Sequence, residues 1–165
     1  YIRGDRGLAD LRQWVREGLI TPAGVIGRPS RTAPNVFGIK EIFTAAVLLA
    51  LGDLGINERA VLGEVVATFE RDLGGETQIE HIYHGATSDL LREYWLMRVD
   101  VVRPEPGHRV IEVHVFDGST PQRFWPEVPI GKYSGSLFVD LSHVAENVAR
   151  GIAKVLAAAS VEGED

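Results

Sequence analysis

Apolar residues recur at helical spacing near the start of the chain. Arg12 and Arg16 lie four residues apart, so both belong to the same side of any helix that forms here. Gly18 is suited to end such a helix, because glycine readily adopts a positive φ angle. The apolar residues predict a helix over residues 8–17 and share its opposite face: Leu8, Leu11, Trp14 and Val15.

The segment that follows, residues 21–38, is rich in glycine, proline and small polar residues. This composition predicts a loop or a hairpin, with short strands at residues 25–26 and 36–37. Arg28 and Arg31 lie between these two strands in the sequence, so the connecting loop is basic.

A second apolar stripe predicts a helix from residue 39 to residue 54, which Gly55 ends. Asn57 is a suitable N-cap for a third helix, which we expect to reach Leu73. The glycine pair at residues 74–75 then marks the best boundary between two halves of the chain.

The second half changes to a strand pattern. Residues 94–102 and 110–116 are β-rich, and the turn residues at 104–107 between them predict a hairpin. We expect a third strand at residues 135–141 and a final helix capped by Ser142. Residues 76–93 are ambiguous, and we predict a strand or an irregular stretch followed by a short helix that Ser88 caps.

Composition and charge narrow the class of protein. Apolar residues form 45% of the chain, which is enough for a folded core, and no cysteine is present to form a disulfide or a thiolate metal site. No apolar run approaches the roughly 20 residues that span a bilayer, so we expect a soluble cytoplasmic protein without a membrane partner.

The net charge of −6 is unevenly distributed. Residues 1–40 carry seven basic and three acidic groups, a net charge of +4, whereas residues 41–165 carry ten basic and twenty acidic groups, a net charge of −10. This asymmetry favours one end that approaches phosphate and a remainder that repels it, although a solvated basic surface would also account for it.

The order of these elements resembles the winged helix-turn-helix of MerR-like regulators. The segment Leu11–Ile20, followed by Pro22, is similar to the family's Leu-Arg-aromatic run with its Gly-Leu-Leu and proline, and Leu54-Gly55-Ile56 is similar to the family's Leu-Gly-apolar signature. The resemblance covers residues 8–62. The family's helix before the recognition helix has no counterpart in residues 1–10.

The predicted elements indicate an α+β fold, with a dimerisation or ligand-sensing module at residues 76–160 that consists of a small antiparallel sheet and a covering C-terminal helix. For residues 1–73, the resemblance implies a winged-helix module. It also implies a DNA-binding transcription regulator that acts as a homodimer on double-stranded DNA, because two half-sites multiply affinity. The resemblance places Arg12 and Arg16 on the recognition helix and Arg28 and Arg31 on the wing, where they would bind DNA. Gln13, also on the recognition helix, is suited to pair with adenine.

Other candidate sites are weaker. His81 and His84, with Glu80 beside them, suit a metal site on one helix face, but no second ligand pair follows, and we favour ordinary hydrogen-bonded histidines and no metal. His108, His114 and His143 are scattered over a turn, a strand and a helix start. Aromatic residues in the second half would serve the core or, as a secondary hypothesis, a pocket for a small-molecule effector lined by Trp95, Trp125 and Tyr133.

Catalytic patterns are absent from the sequence. No serine lies in a nucleophile-elbow context, and Gly4–Gly7 is too short for a phosphate loop. We therefore predict no enzymatic activity and no cofactor. Two alternatives to DNA binding remain: a phage or mobile-element adaptor in which the winged helix docks on protein, and a small-molecule-binding domain without DNA activity.

Overall fold

A computed structural model describes residues 4–27, 34–88, 93–102, 109–118 and 133–162. In this part of the chain the structure is a mixed α+β fold with two antiparallel sheets. The helices are α1 (Gly4–Glu17), α2 (Ile39–Asp53), α3 (Arg59–Phe69), α4 (Gln78–Thr87) and α5 (Leu141–Glu162). The strands are β1 (Gly24–Val25), β2 (Asn35–Val36), β3 (Trp95–Val102), β4 (Val110–Asp117) and β5 (Tyr133–Asp140).

Helix α1 begins at Gly4, four residues before its predicted start, but it ends as its sequence predicts. Gly18 has a φ angle of +74°, and its backbone N–H donates to the carbonyl of Val15 at 3.2 Å. The next N–H, of Leu19, reaches back to the carbonyl of Trp14 at 2.9 Å. These two bonds satisfy carbonyl groups at the helix end and turn the chain, so Ile20 is buried beneath the helix.

The short sheet is an antiparallel hairpin. Gly24 pairs with Val36 and Val25 with Asn35, one residue earlier in each strand than predicted. A further backbone bond joins the N–H of Ile26 to the carbonyl of Pro34 at 2.9 Å. The hairpin therefore connects α1 to α2, which gives the order helix, hairpin, helix.

Helix α2 also ends at a glycine with positive φ, Gly55 at +85°, as predicted. The prediction that Asn57 caps the next helix is wrong by one residue, because Glu58 is the N-cap of α3. The carbonyl of Glu58 accepts the N–H of Leu62 at 3.0 Å, so helical bonding begins one position later than the side-chain preference of Asn57 suggests.

Helix α3 stops at Phe69 rather than at Leu73. The reason is a tight turn beyond it, in which the Asp72 carboxylate accepts the backbone N–H groups of Gly74 and Gly75 at 2.9 and 2.8 Å. Such side-chain bonds to the backbone compete with helical bonding. They also lower the pKa of Asp72, because they stabilise its charged form.

The prediction for residues 76–93 is wrong, because most of this segment is helix α4 and Ser88 ends it rather than starts one. The helix begins at a capping box in which Glu80 accepts bonds from the backbone N–H and the hydroxyl of Thr77, at 2.9 and 2.5 Å. The bond from the Thr77 hydroxyl, and then that from its N–H, lowers the pKa of Glu80. Ile79 and Ile82 are fully buried on its apolar face.

The larger sheet has the strand order β4-β3-β5, with both pairings antiparallel. The hairpin between β3 and β4 is therefore confirmed, while its predicted turn at residues 104–107 lies outside the described residues. On β3, Met97 and Val99 are buried in the apolar core. Successive side chains of a strand point to opposite faces, so Arg98 and Asp100 belong to the other face of the sheet.

Helix α5 starts differently from the prediction. Ser142 is not its cap: the hydroxyl of Ser142 accepts the N–H of Trp95 at 2.6 Å and donates to the carbonyl of Glu93 at 3.3 Å. The capping role belongs to Asp140, whose carboxylate accepts the backbone N–H of His143 at 2.8 Å. Ser142 is thus committed to a tertiary contact with the start of β3.

One hydrophobic cluster joins residues from both sides of the glycine pair at 74–75. It contains Trp14 of α1 and Phe43 of α2 together with Met97 of β3 and Leu141 of α5. The division of the chain into two units at this pair remains a prediction. Among the described residues, every helix is too short or too polar to cross a bilayer.

We predict that Gly18→Ala lowers the free energy of unfolding by about 1 kcal/mol, because a side chain with a positive φ angle is strained. Gly63→Ala is the matched control: Gly63 lies inside α3, has open space at the position of a Cβ atom, and should gain about 0.5–1 kcal/mol from better helix propensity. Urea denaturation measures the free energy of unfolding of both variants. Changes of the same sign in the two variants would contradict the positive φ angle assigned to Gly18.

Candidate functional site

The exposed side of α1 carries small, basic and amide side chains together with Leu8, which is 47% exposed. The prediction that Leu8 lies on the buried face is therefore wrong, because Leu8 is not part of the hydrophobic cluster that holds Leu11 and Trp14. Arg12, Gln13 and Arg16 are exposed together with Ala9, and we call these four residues the α1 face. On the opposite side, Leu11 and Trp14 are 9% and 8% exposed and belong to the core. The helix period and the buried pair therefore fix which side of α1 meets solvent.

Side chains on the α1 face have partners within the helix. The Nε atom of Arg16 donates to the carbonyl of Arg12 at 3.3 Å, and the amide of Gln13 donates to the Glu17 carboxylate at 2.8 Å. The carboxylate of Glu17 therefore borders the face. A phosphate bound at Gln13 would therefore lie close to this negative charge.

The hairpin after α1 is exposed along both strands, from Ala23 to Gly27 and from Pro34 to Val36. It presents three apolar side chains to solvent: Val25, Ile26 and Val36, which are 41%, 64% and 40% exposed. The predicted wing residues Arg28 and Arg31 lie outside the described residues.

A cleft of about 720 Å³ lies between α1, α2, α3 and α5. Asp10, Gln13 and Glu17 of α1 line it on one side, and His143 of α5 lines it on another. Arg59 at the start of α3 also lines the cleft, and its guanidinium donates to the carbonyl of Glu17 at 3.1 Å. This bond ties the end of α1 to α3.

Among the predicted ligand-binding residues, Trp125 and the side chain of Tyr133 lie outside the described residues. Trp95 is half-buried, and its indole N–H donates to the Glu93 carboxylate at 3.1 Å. Its ring meets that of His81 edge-on at 5.6 Å. Trp95 lines neither the α1 cleft nor a second cleft beside Ile20.

His81 and His84 share a carboxylate that the sequence did not single out. The Nδ1 atom of His84 lies 2.6 Å from Glu76, and that of His81 lies 3.5 Å from the same carboxylate. Glu80 is instead bound to Thr77. Among the described residues, the ligand atoms of Glu80, His81 and His84 do not converge on one position as the three-residue metal hypothesis requires. The two histidines lie beside Glu76 instead.

A polar cluster lies on the side of the larger sheet away from Met97 and Val99. It contains Arg98 and Asp100 of β3, Glu112 and His114 of β4, and Ser136 of β5, and we call it the sheet-face cluster. The strand register brings these residues together, since Asp100 pairs with Glu112 and with Ser136, and Arg98 pairs with His114.

Asp100 is the centre of this cluster and is 1% exposed. Its two carboxylate oxygens accept separate bonds, one from the Nε of Arg98 and one from the hydroxyl of Ser136, both at 2.7 Å. Arg98 is itself 4% exposed, and its guanidinium lies 5.1 Å from the centre of the Phe116 ring. The pair satisfies the requirement that a buried charge has an opposite charge and hydrogen bonds.

Sequence reasoning missed the sheet-face cluster. Its signal is a polar residue at alternate positions of two apolar strands, in Arg98-Val99-Asp100 and in Glu112-Val113-His114. This alternation is also what a solvent-exposed sheet face shows. Only the register of β3 against β4 reveals that the two pairs converge.

We predict that Asp100→Asn lowers the free energy of unfolding by about 3 kcal/mol, because it removes the carboxylate charge that faces the buried Arg98 guanidinium. Asp53→Asn, at the exposed end of α2, should change it by less than about 0.5 kcal/mol. Chemical denaturation of both variants tests this. Equal changes in the free energy of unfolding of the two variants would show that the Arg98–Asp100 ion pair does not stabilise the fold.

No protein-family model, no curated protein and no solved structure matches the chain. Function is therefore inferred from the two surfaces themselves, the α1 face and the sheet-face cluster.

Proposed function

We propose that the protein binds double-stranded DNA through the α1 face and the hairpin, in the manner of a MerR-like transcription regulator. The observation that carries the proposal is the α1 face: Arg12, Gln13 and Arg16 are exposed together on a helix whose other side is held in the core. A helix held in this way can enter a groove without first ordering its backbone, although its exposed side chains still lose rotamer freedom on binding.

The residue types on the α1 face suit DNA. An arginine guanidinium offers a planar set of donors that matches phosphate oxygens or the O6 and N7 atoms of guanine. A glutamine pairs with the N6 and N7 atoms of adenine, and a residue as small as Ala9 allows close approach to the groove. Arg12 and Arg16 would position the helix, and Gln13 would contribute to sequence preference.

The hairpin supports the same proposal by its place in the chain. It follows α1 directly and is exposed on both strands, as a wing that lies along a DNA backbone must be. Arg28 and Arg31 lie between its strands in the sequence, where the resemblance puts the wing's phosphate contacts. The strongly acidic remainder, residues 41–165, would keep the rest of the surface away from DNA.

A homodimer is part of the proposal. One helix of this length reads few base pairs, so two copies on two half-sites are needed for useful specificity. Linking two weak contacts raises the overall affinity without any new contact type.

The hairpin also supports a second candidate, docking on another protein as an adaptor does. Its exposed apolar side chains at Val25, Ile26 and Val36 suit a protein surface better than a phosphate backbone. The discriminating variant is Ile26→Ser, which should abolish protein docking but leave the salt-dependent part of DNA binding intact. The two clefts described above do not support the small-molecule alternative, because Trp95 lines neither of them.

We predict salt-dependent DNA binding that depends on Arg12 and Arg16. Duplexes enriched from a randomised pool should bind with an affinity that falls steeply from about 50 to about 200 mM salt, because bound arginines release counterions from phosphate. Arg12→Ala and Arg16→Ala should each weaken binding and, where the lost contact is to phosphate, reduce the slope of log affinity against log salt by about 1. Fluorescence anisotropy measures both quantities.

Arg150→Ala is the matched control, because Arg150 is exposed on α5 and carries the same charge. It should leave affinity and slope unchanged. Equal losses at Arg12 and Arg150 would overturn the assignment of the α1 face, and failure of the pool to yield any binding duplex would overturn DNA binding itself.

Glu17→Gln should tighten DNA binding about two- to fivefold, in line with the about 0.5–1 kcal/mol that exposed charges contribute. The change removes the negative charge beside Gln13 and loosens the bond that holds its amide. Glu64→Gln makes the same charge change at an exposed position of α3 and separates this local effect from that of net charge. Equal gains in DNA affinity for Glu17→Gln and Glu64→Gln would mean that Gln13 does not contact DNA.

A further inference from the structure

The sheet-face cluster holds three side chains that are common ligands of divalent metal ions. Asp100, Glu112 and His114 each offer one ligand atom, and these atoms lie within 4.8 Å of one another. Asp100 and Glu112 are directly opposed across β3 and β4, and His114 lies two residues along β4 on the same face. The arrangement is fixed by paired strands rather than by a loop, so it is held rigidly.

His114 has a ring nitrogen whose hydrogen-bonding capacity is not used. Its Nε2 atom is shielded from solvent and has no hydrogen-bond partner in the structure. It nevertheless lies 3.5 Å from an oxygen of Asp100 and 3.4 Å from an oxygen of Glu112. A buried ring nitrogen without a partner requires an explanation, and here it faces two carboxylates.

These separations fit a shared ion. Two ligands that each lie about 2.0–2.1 Å from a tetrahedral Zn²⁺ are about 3.3–3.4 Å apart. The observed distances of 3.4 and 3.5 Å agree with that spacing. Asp100 and Glu112 are also directly opposed across the strands, and a bound cation would reduce the repulsion that remains after Arg98 has paired with Asp100.

Asp100 is also oriented as a metal ligand usually is. Arg98 and Ser136 bind its two oxygens, which is the kind of outer hydrogen bonding that fixes ligand carboxylates in metal sites. Arg98 neutralises one of the two carboxylate charges, so the site holds a net charge of −1 when His114 is neutral. This charge suits a divalent ion, and the imidazole ligand favours Zn²⁺ and similar transition-metal ions over Mg²⁺ or Ca²⁺.

We propose that Asp100, Glu112 and His114 form a binding site for one divalent transition-metal ion, with Zn²⁺ as the best-fitting member of the class. Three protein ligands leave the fourth tetrahedral position to water or to a ligand from outside. The site is independent of the proposed DNA-binding surface, since it shares no residue with α1 or the hairpin. It also differs from the expectation of no metal site, in which His114 was one of three scattered histidines and neither Asp100 nor Glu112 was placed beside it.

The test uses the chelator-treated full chain, with Zn²⁺ alone as the probe. Competition with a chromogenic chelator should show one Zn²⁺ bound per chain, and His114→Ala and Glu112→Gln should each weaken binding by at least about tenfold. Both side chains are partly exposed, at 38% and 44%, so both variants should remain folded, as circular dichroism would verify. Co²⁺ in the wild-type site should show the intense visible bands of tetrahedral coordination.

His84→Ala is the matched control, since His84 is an exposed histidine beside a carboxylate, Glu76, and should bind Zn²⁺ no more than a surface residue does. The Zn²⁺ affinity of His84→Ala should equal that of the wild type. The proposal is overturned if the wild type binds no stoichiometric Zn²⁺, or if His84→Ala weakens binding as much as His114→Ala does. In either outcome the cluster would be an ion-pair network that His114 joins when protonated.

Discussion

The packing of α1 and β3 into one hydrophobic cluster determines both candidate surfaces. Trp14 and Met97 belong to the same cluster, although one lies on a helix near the start of the chain and the other on a central strand. The helical period then places Arg12 and Arg16 on the solvent side of α1, and strand alternation places Asp100 on the outer face of the sheet. The core therefore decides which side of each element faces outward, and local contacts such as that of Arg98 with Asp100 then orient the side chains.

The parts of the fold that the sequence predicts correctly depend on neighbours in the chain. Gly18 and Gly55 end their helices because a positive φ angle is a local property, and the turn at each is made within six residues. The start of α4 is equally local, since Thr77 and Glu80 form its capping box. It escaped prediction because Ile79 and Ile82 make only a short apolar pattern before the helix ends.

The incorrect capping residue at α5 has a different cause. Ser142 has the chemistry of a cap, but its hydroxyl is bound to the backbone of Trp95 and Glu93, almost fifty positions earlier in the chain. The sheet-face cluster has the same origin: Asp100 and Glu112 meet only because β3 and β4 pair in one register. Patterns within a segment predict the exposed side of α1, whereas a site shared by strands depends on tertiary pairing that the sequence does not display.

The state of the α1 face constrains how DNA binding would work. The Gln13 amide and the Arg16 Nε both have partners within the helix, so a DNA contact made through either group would exchange one hydrogen bond for another. Such exchanges yield only about 0.5–1.5 kcal/mol each, more where a charged group takes part. On the proposed function, a single α1 face with Glu17 at its border would bind DNA weakly. The proposed homodimer would then supply, through the proximity of a second copy, the affinity that one helix lacks.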